Sequence, residues 1–355
     1  MRNLLHDDLD RVLASTHDLW EELREQRIFI TGGTGFFGCW FLETLLWAND
    51  RLGLKVRATV LTRSLRAFEQ KAPHLAGHPA VTMLAGDVRS FPFPEGRFSH
   101  VIHAATQSSA ALNREQPAVM FETIVEGTRR CLEFAAASGV RKFLLTSSGA
   151  VYGPQPPEVT HLPESFTGSP DPLDLNSAYG EGKRAAEMLC VLASRDTALE
   201  TKIARCFAFA GPYMELDAHF AIGNFIRDQL NGGPIRVQGD GTPYRSYMYA
   251  SDLMTWLWTI QFRGTSGHAY NVGSEEAVSI RELAHGVADA FSPRVKVEIL
   301  GTPTPRAPAQ RYVPCTARAR QELGLSSQVS LQQTIQRTQS WFQQANVAKL
   351  QEAAR

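Results

Sequence analysis

Short apolar runs alternate with longer stretches of helical periodicity along most of the chain. Ile28-Phe29-Ile30, Val56 to Leu61, Val81 to Leu84, Val101-Ile102 and Lys142 to Thr146 read as strands bounded by turn residues. Helix-like segments follow at Cys39 to Trp47 and at Pro117 to Ser138. Strand and helix in alternation predict an α/β fold, a parallel sheet with helices on both faces. Ahead of Ile28, the apolar positions Leu9, Val12, Leu13, Leu19, Trp20 and Leu23 recur at roughly helical intervals. They predict a helix that covers the sheet or an oligomer surface. From about Ile203 the chain finishes the sheet and builds a second region.

At 355 residues the chain can bury a full core and carry a smaller second domain. Lys and Arg together number 36 and balance 36 Asp and Glu, so no global field points to nucleic acid or an anionic membrane. The five cysteines, Cys39, Cys131, Cys190, Cys206 and Cys315, lack paired metal spacing. That scatter predicts reduced thiols and no metal site, as in a soluble cytoplasmic protein. No apolar stretch approaches the length of a membrane span.

Candidate chemistry begins after the first strand, at Thr31-Gly32-Gly33-Thr34-Gly35-Phe36-Phe37-Gly38. Strand, glycine-rich turn and helix form a phosphate-binding arrangement, with the pyrophosphate on helix N-terminal amides. The residues expected against it are Gly32, Thr34, Gly35, Phe36, Phe37 and Gly38. The glycine spacing resembles the short-chain dehydrogenase/reductase superfamily. At the end of the second strand, Arg63 stands where an acidic residue commonly receives ribose hydroxyls, and an Arg there can accommodate a 2′-phosphate. This leans towards NADP, with NAD still open and a solvated Arg an equal alternative.

The later strand ends carry further parts of that resemblance. Asp87, followed by Val88, matches the Asp that holds adenine, and His103-Ala104-Ala105 matches a small turn that lets the dinucleotide pass. Glu126-Gly127-Thr128 is similar to the "NxxGT" segment, with Ile124 in place of its Asn. Ser147-Ser148-Gly149-Ala150-Val151-Tyr152-Gly153 resembles the "SSxxVYG" signature of the extended branch, the nucleotide-sugar epimerases and dehydratases. The match implies that Ser148 hydrogen-bonds the reacting oxygen and that Gly149 adjoins the sugar. A Pro-rich loop from Pro154 to Pro172 reads as a lid or substrate-shaping segment.

Tyr179 and Lys183 lie four residues apart, on one face of a helix. A phenol of pKa about 10 is a poor base at neutral pH unless cations stabilise its phenolate. Lys183 and an oxidised nicotinamide would supply that charge. Tyr179 is therefore expected as acid/base, Lys183 as its electrostatic partner and a ribose ligand, and Ser148 as holder of the substrate oxygen.

Further along, Arg205 to Pro212 resembles the "RxFNxYGP" segment, with Ala208 and Ala210 where Asn and Tyr are usual. Asn224 and Arg245 match positions that meet a substrate diphosphate, and Arg311 is a second candidate for the same task. The resemblance runs from Arg27 to about Leu325. It implies a Rossmann-type doubly wound sheet, NAD or NADP, a nucleotide-diphosphate sugar substrate, and a homodimer. Expected boundaries are an N-terminal extension over 1–26, a dinucleotide domain over 27–205, a mainly substrate-binding region over 206–345, and a tail over 346–355.

Members of this family begin with hydride exchange at sugar carbon 4. Dehydratases and decarboxylases usually place an acidic residue after the Ser, and here Gly149-Ala150 follows. An epimerase is therefore expected first. An NADPH-dependent 4-ketoreductase comes next, then a 4,6-dehydratase or uronate decarboxylase served by Glu164 or Asp174 from the lid. Outside enzymes, a cofactor-binding scaffold is the alternative.

Overall fold

Ile28, Phe29 and Ile30 are fully buried, as a strand flanked by neighbours and covered on both faces must be. In the computed structural model, which describes residues 3–106, 110–218 and 220–353, they form β1 (Arg27–Thr31) near the middle of a sheet. Its companions are β2 (Arg57–Thr62), β3 (Val81–Ala85), β4 (His100–His103), β5 (Lys142–Ser148), β6 (Glu200–Cys206) and the edge strand Ala269–Val272. The seven strands are ordered edge, β6, β5, β4, β1, β2, β3, and every pairing is parallel. Strand order reverses between β1 and β4, so a crevice opens at their carboxyl ends.

The helix after β1 spans Phe36–Leu52 rather than Cys39 to Trp47. It starts inside the glycine motif because Gly35 already serves as an extended N-cap, and it stops where Gly53 turns left-handed. The helix Pro117–Ser138 has the expected bounds and packs along the helix Ala178–Asp196. Ile124 fills that seam: a Cβ at Gly182 would lie 3.1 Å from its Cδ1. An apolar side chain thus stands where the resemblance suggested Asn.

The N-terminal segment forms the helix His6–Thr16 and a 3-10 turn over His17–Leu23. Leu9, Val12, Leu19, Trp20 and Leu23 are buried, and Trp20 lies 4.8 Å from Trp258, ring centre to ring centre. Asp8 accepts the Tyr249 hydroxyl at 2.6 Å and pairs with Arg337. The described part of this segment, from Leu5 to Leu23, is therefore built into the core.

Beyond β6, the strands Tyr244–Arg245, Val278–Ser279 and Arg311–Tyr312 form a small sheet over the crevice. Helices Ala221–Leu230 and Ile280–Asp289 pack beside it on their own apolar cluster. The helix Leu331–Ala353 runs through the expected start of the tail at 346, since no Gly or Pro interrupts it. No helix among the described residues is long and apolar enough to cross a membrane.

Candidate active site

The glycine turn closes tightly on the next strand end. Gly32 has φ +70°, and a Cβ there would lie 2.3 Å from the carbonyl oxygen of Ala104. Only glycine satisfies both demands. At Gly35, in contrast, a Cβ would meet nothing nearer than the Gly32 carbonyl at 3.4 Å, so that side of the turn is open. The amides of Phe36, Phe37 and Gly38 head the helix and have no intrahelical acceptor. An open turn, three donors and a helix N-terminus fit a pyrophosphate. Thr34 turns its carbonyl to Lys71 Nζ at 3.1 Å, and Phe37 packs edge-on against Phe209.

The second-strand and third-strand ends meet beside this turn. Arg63 is exposed, and its charge helps hold the Asp87 carboxyl below its ordinary range. The larger cause is Arg89, which grips Asp87 with Nε at 2.9 Å and Nη2 at 3.0 Å. Val88 is buried against Gly127, leaving its backbone to any ligand.

His103 corrects the sequence reading. Its ring is buried, with Nδ1 2.7 Å from Thr31 Oγ1 and Nε2 3.1 Å from Thr128 Oγ1. Thr128 already donates to the Ile124 carbonyl, so Nε2 carries the proton and Nδ1 accepts from Thr31. Burial pushes the imidazole down to about 3, which keeps it neutral. His103 clamps β1, β4 and the helix Pro117–Ser138 together.

Ser148 ends β5 and Tyr179 opens the helix Ala178–Asp196, and the fold brings them together. Ser148 accepts the Ala150 amide at 3.1 Å, and its hydroxyl stabilises the Tyr179 phenolate. Burial prevails all the same and pushes Tyr179 up to about 12. Lys183, one turn on, is 3% exposed, and its Nζ is 5.9 Å from the centre of the Tyr179 ring. That Nζ donates to the Thr146 carbonyl at 2.7 Å and to Thr106 Oγ1 at 3.0 Å. Desolvation brings it down to about 8. A cleft of about 370 Å³ opens beside Tyr179, lined by Asn113, Ala150, Pro170 and Asp174 among others.

Sequence and fold comparisons place this site in context. The model of the NAD dependent epimerase/dehydratase family matches residues 28–273. The chain belongs to that family. UDP-glucuronic acid decarboxylase 3 of Arabidopsis thaliana is 31% identical over 309 residues, 87% of this chain and 86% of that protein. UDP-glucose 4-epimerase of Thermotoga maritima superposes with TM-score 0.74 at 21% identity, over 90% of this chain and 99% of its own. The dTDP-glucose 4,6-dehydratase DesIV of Streptomyces venezuelae, solved with NAD, gives 0.74 at 25%, over 90% and 97%. The chain is thus an NAD(P)-dependent enzyme of the epimerase/dehydratase type.

Within this family member the expected substrate residues are not all gathered. Position 149 is closed: a Cβ at Gly149 would lie 2.7 Å from the Tyr312 hydroxyl and 2.8 Å from Phe207 Cζ. Arg245 donates to the Tyr244 carbonyl at 2.8 Å, and its charge reaches Tyr312, its neighbour across the strand pair. Arg311 pairs with Tyr244 and lies over its ring at 4.3 Å, so its stem leaves the opposite face of that small sheet. Asn224 sits in the helix Ala221–Leu230 with Arg227 Nη1 3.4 Å from its Oδ1. Glu164 accepts the Asn271 backbone amide of the edge strand at 2.9 Å, and Asp174 caps the turn Leu175–Ser177, so both lid carboxylates already have partners.

Sequence reading missed Tyr312, Thr106 and Asn113. Thr106 follows the small turn directly and was within reach of that motif. Asn113 and Tyr312 carry no local signal; they arrive through helix docking and strand pairing.

Proposed function

We propose that this enzyme oxidises the carbon 4 hydroxyl of a nucleotide-linked sugar and, with the keto sugar turning in the site, restores it as the epimer. Tyr179 takes the hydroxyl proton, Ser148 hydrogen-bonds the oxygen as it becomes a carbonyl, and Lys183 holds positive charge against the phenolate. The glycine turn, Lys183 and the Ala104-Ala105 backbone would hold the dinucleotide, whose nicotinamide would supply a reversible hydride acceptor. Arg245 is assigned to the substrate diphosphate, a task that suits a fork of donors. Arg63, exposed beside Asp87, supports NADP over NAD.

The observation that carries the epimerase reading is the closed position 149. Its space is filled by the Tyr312 hydroxyl and Phe207, which leaves no carboxylate at that strand end to assist elimination. A uronate decarboxylase is the second reading, favoured by the decarboxylase relatives. A 4-keto uronate is a β-keto acid, and such acids lose carbon dioxide once the developing enolate oxygen is held. Apolar side chains stand exposed on the paired helices, Phe121 at 39% and Met188 at 59%, and support a homodimer.

Mass spectrometry of products from a panel of nucleotide hexoses and hexuronates, without added cofactor, tests the reading. An isomer of unchanged mass is expected. Loss of carbon dioxide from a hexuronate establishes the second reading, and turnover only of 4-keto sugars with NADPH overturns both.

A further inference from the structure

Glu43 is a carboxylate buried within the helix Phe36–Leu52, apart from the reactive groups. It is 4% exposed and accepts hydrogen bonds from the Tyr213 hydroxyl at 2.5 Å, Asn3 Nδ2 at 3.2 Å and His74 Nε2 at 2.7 Å. A buried carboxylate calls for a countercharge. Among the described residues no Lys or Arg forms an ion pair with Glu43, so His74 alone can supply it. The His74 ring is 54% exposed and open to protons from solvent, and the bond to Glu43 holds its pKa above the ordinary value.

His74 belongs to a segment made of the short helices Leu65–Lys71 and Pro73–Ala76. Phe68, Ala72 and Leu75 seat this segment in the core. Between them Lys71 reaches the glycine turn, where its Nζ donates to the Thr34 carbonyl at 3.1 Å. The segment is thus tied at two places, to the turn through Lys71 and to the helix that the turn opens through His74. His78 Nε2 stands 3.9 Å from Asp50, further along the same helix, in a pair that solvent screens. The other titratable or charged groups there are Tyr213, whose phenol burial keeps protonated, and Cys39, a thiol that burial pushes up to about 12. Arg51 turns away, to Asp10 and the Trp47 ring.

We propose that His74 is a positioning residue for the dinucleotide: as an imidazolium paired with Glu43 it clasps its segment to the helix and holds the Lys71 ammonium at the glycine turn. The inference rests on the reading of that turn as the pyrophosphate site. An ammonium held there adds to the field that attracts the negative charge of a pyrophosphate. Loss of the His74 proton leaves the Glu43 charge without its partner and loosens the clasp. Because pairing raises the imidazole pKa, the clasp is complete at low pH and is lost as pH rises through that raised value.

The test uses the full-length protein and whichever oxidised dinucleotide, NAD or NADP, binds it more tightly. Coupling between a proton and a ligand is reciprocal. Saturation with dinucleotide is therefore expected to raise the His74 titration midpoint, read by NMR of histidine-labelled protein with His74→Gln for assignment. The wild-type dissociation constant is expected to rise about fivefold between about pH 5 and pH 8, over and above any change in His74→Gln. Titration of a ligand phosphate and of Lys183 is common to both proteins and cancels. Glu43→Gln keeps an acceptor and removes the charge; it is expected to flatten the profile in the same way and guards against a folding defect in the first variant. In a Lys71→Met background His74→Gln is expected to change nothing further. An unmoved midpoint, equal pH profiles in wild type and His74→Gln, or a full His74 effect without Lys71 overturns the proposal. A protein that binds neither dinucleotide at any pH overturns the reading of the turn, and the proposal with it.

Discussion

Asn113 holds the start of the Tyr179 helix. Its Oδ1 accepts the Tyr179 amide at 3.0 Å while its Nδ2 donates to the Asn176 carbonyl at 2.7 Å. The first amides of a helix have no internal acceptor, so a side chain from the short helix Ala110–Glu115 supplies one. The same bond sets where the Tyr179 ring enters the site.

Asn113→Ala is therefore expected to act on turnover more than on stability. Loss of one neutral hydrogen bond at a part-exposed position costs about 1 kcal/mol. A displaced acid/base costs more, and kcat is expected to fall roughly tenfold or further. Steady-state kinetics beside a thermal melt check this; a large drop in melting temperature with unchanged kcat per folded enzyme contradicts it.

Lys183 gives a pH signature with a definite sign. Its pKa in the fold is about 8, against an ordinary value of 10.5, so between those limits the unfolded chain binds a proton that the native state does not. Stability rises with pH wherever the unfolded state holds more protons. Burial of the charged lysine thus costs stability below pH 8, and that cost is relieved as pH climbs to 10.5. Cofactor-free wild type is expected to gain on Lys183→Met across this window in paired melts. Turnover moves oppositely, falling as pH passes about 8, because neutral Lys183 no longer supports the phenolate. Parallel stability curves for the two proteins would contradict the assignment.

Local spacing carries the proposed reactive set: Gly32, Gly35 and Gly38 share one turn, Tyr179 and Lys183 one helix face, and Ser148 ends the strand just before a 3-10 turn, so neighbours in sequence are neighbours in space. Tyr312 reaches the site only because its strand pairs in register with Tyr244–Arg245, far away in the chain. Nothing near Tyr312 in sequence signals that pairing. His103 misled for a related reason. A residue at a strand's carboxyl end faces either the crevice or the interior, and the partners that choose, Thr31 and Thr128, lie on other elements. The N-terminal helix read correctly as amphipathic, while its buried Asp8 made sense only once Tyr249 and Arg337 stood beside it.

Glu187 ties the helix Ala178–Asp196 to β5 and β6 of the sheet. It accepts Ser147 Oγ at 2.5 Å and Arg205 through Nε at 3.0 Å and Nη2 at 2.7 Å. Arg205 passes the chain of bonds to the Tyr152 hydroxyl at 2.9 Å, which donates to Asn271 Oδ1 at 2.7 Å. Asn271 Nδ2 then holds the Leu162 and Cys315 carbonyls, which border the Tyr312 strand. Glu187→Ala would leave the Arg205 guanidinium buried without its carboxylate. Breaking one side of such a pair costs about 3–5 kcal/mol, more than the pair itself contributes relative to apolar residues. Replacing both partners, Glu187→Leu with Arg205→Met, is expected to recover much of that loss, since the uncompensated charge is gone. Denaturant melts of the two single variants and the double variant decide it: strictly additive losses would mean that Glu187 and Arg205 are not coupled.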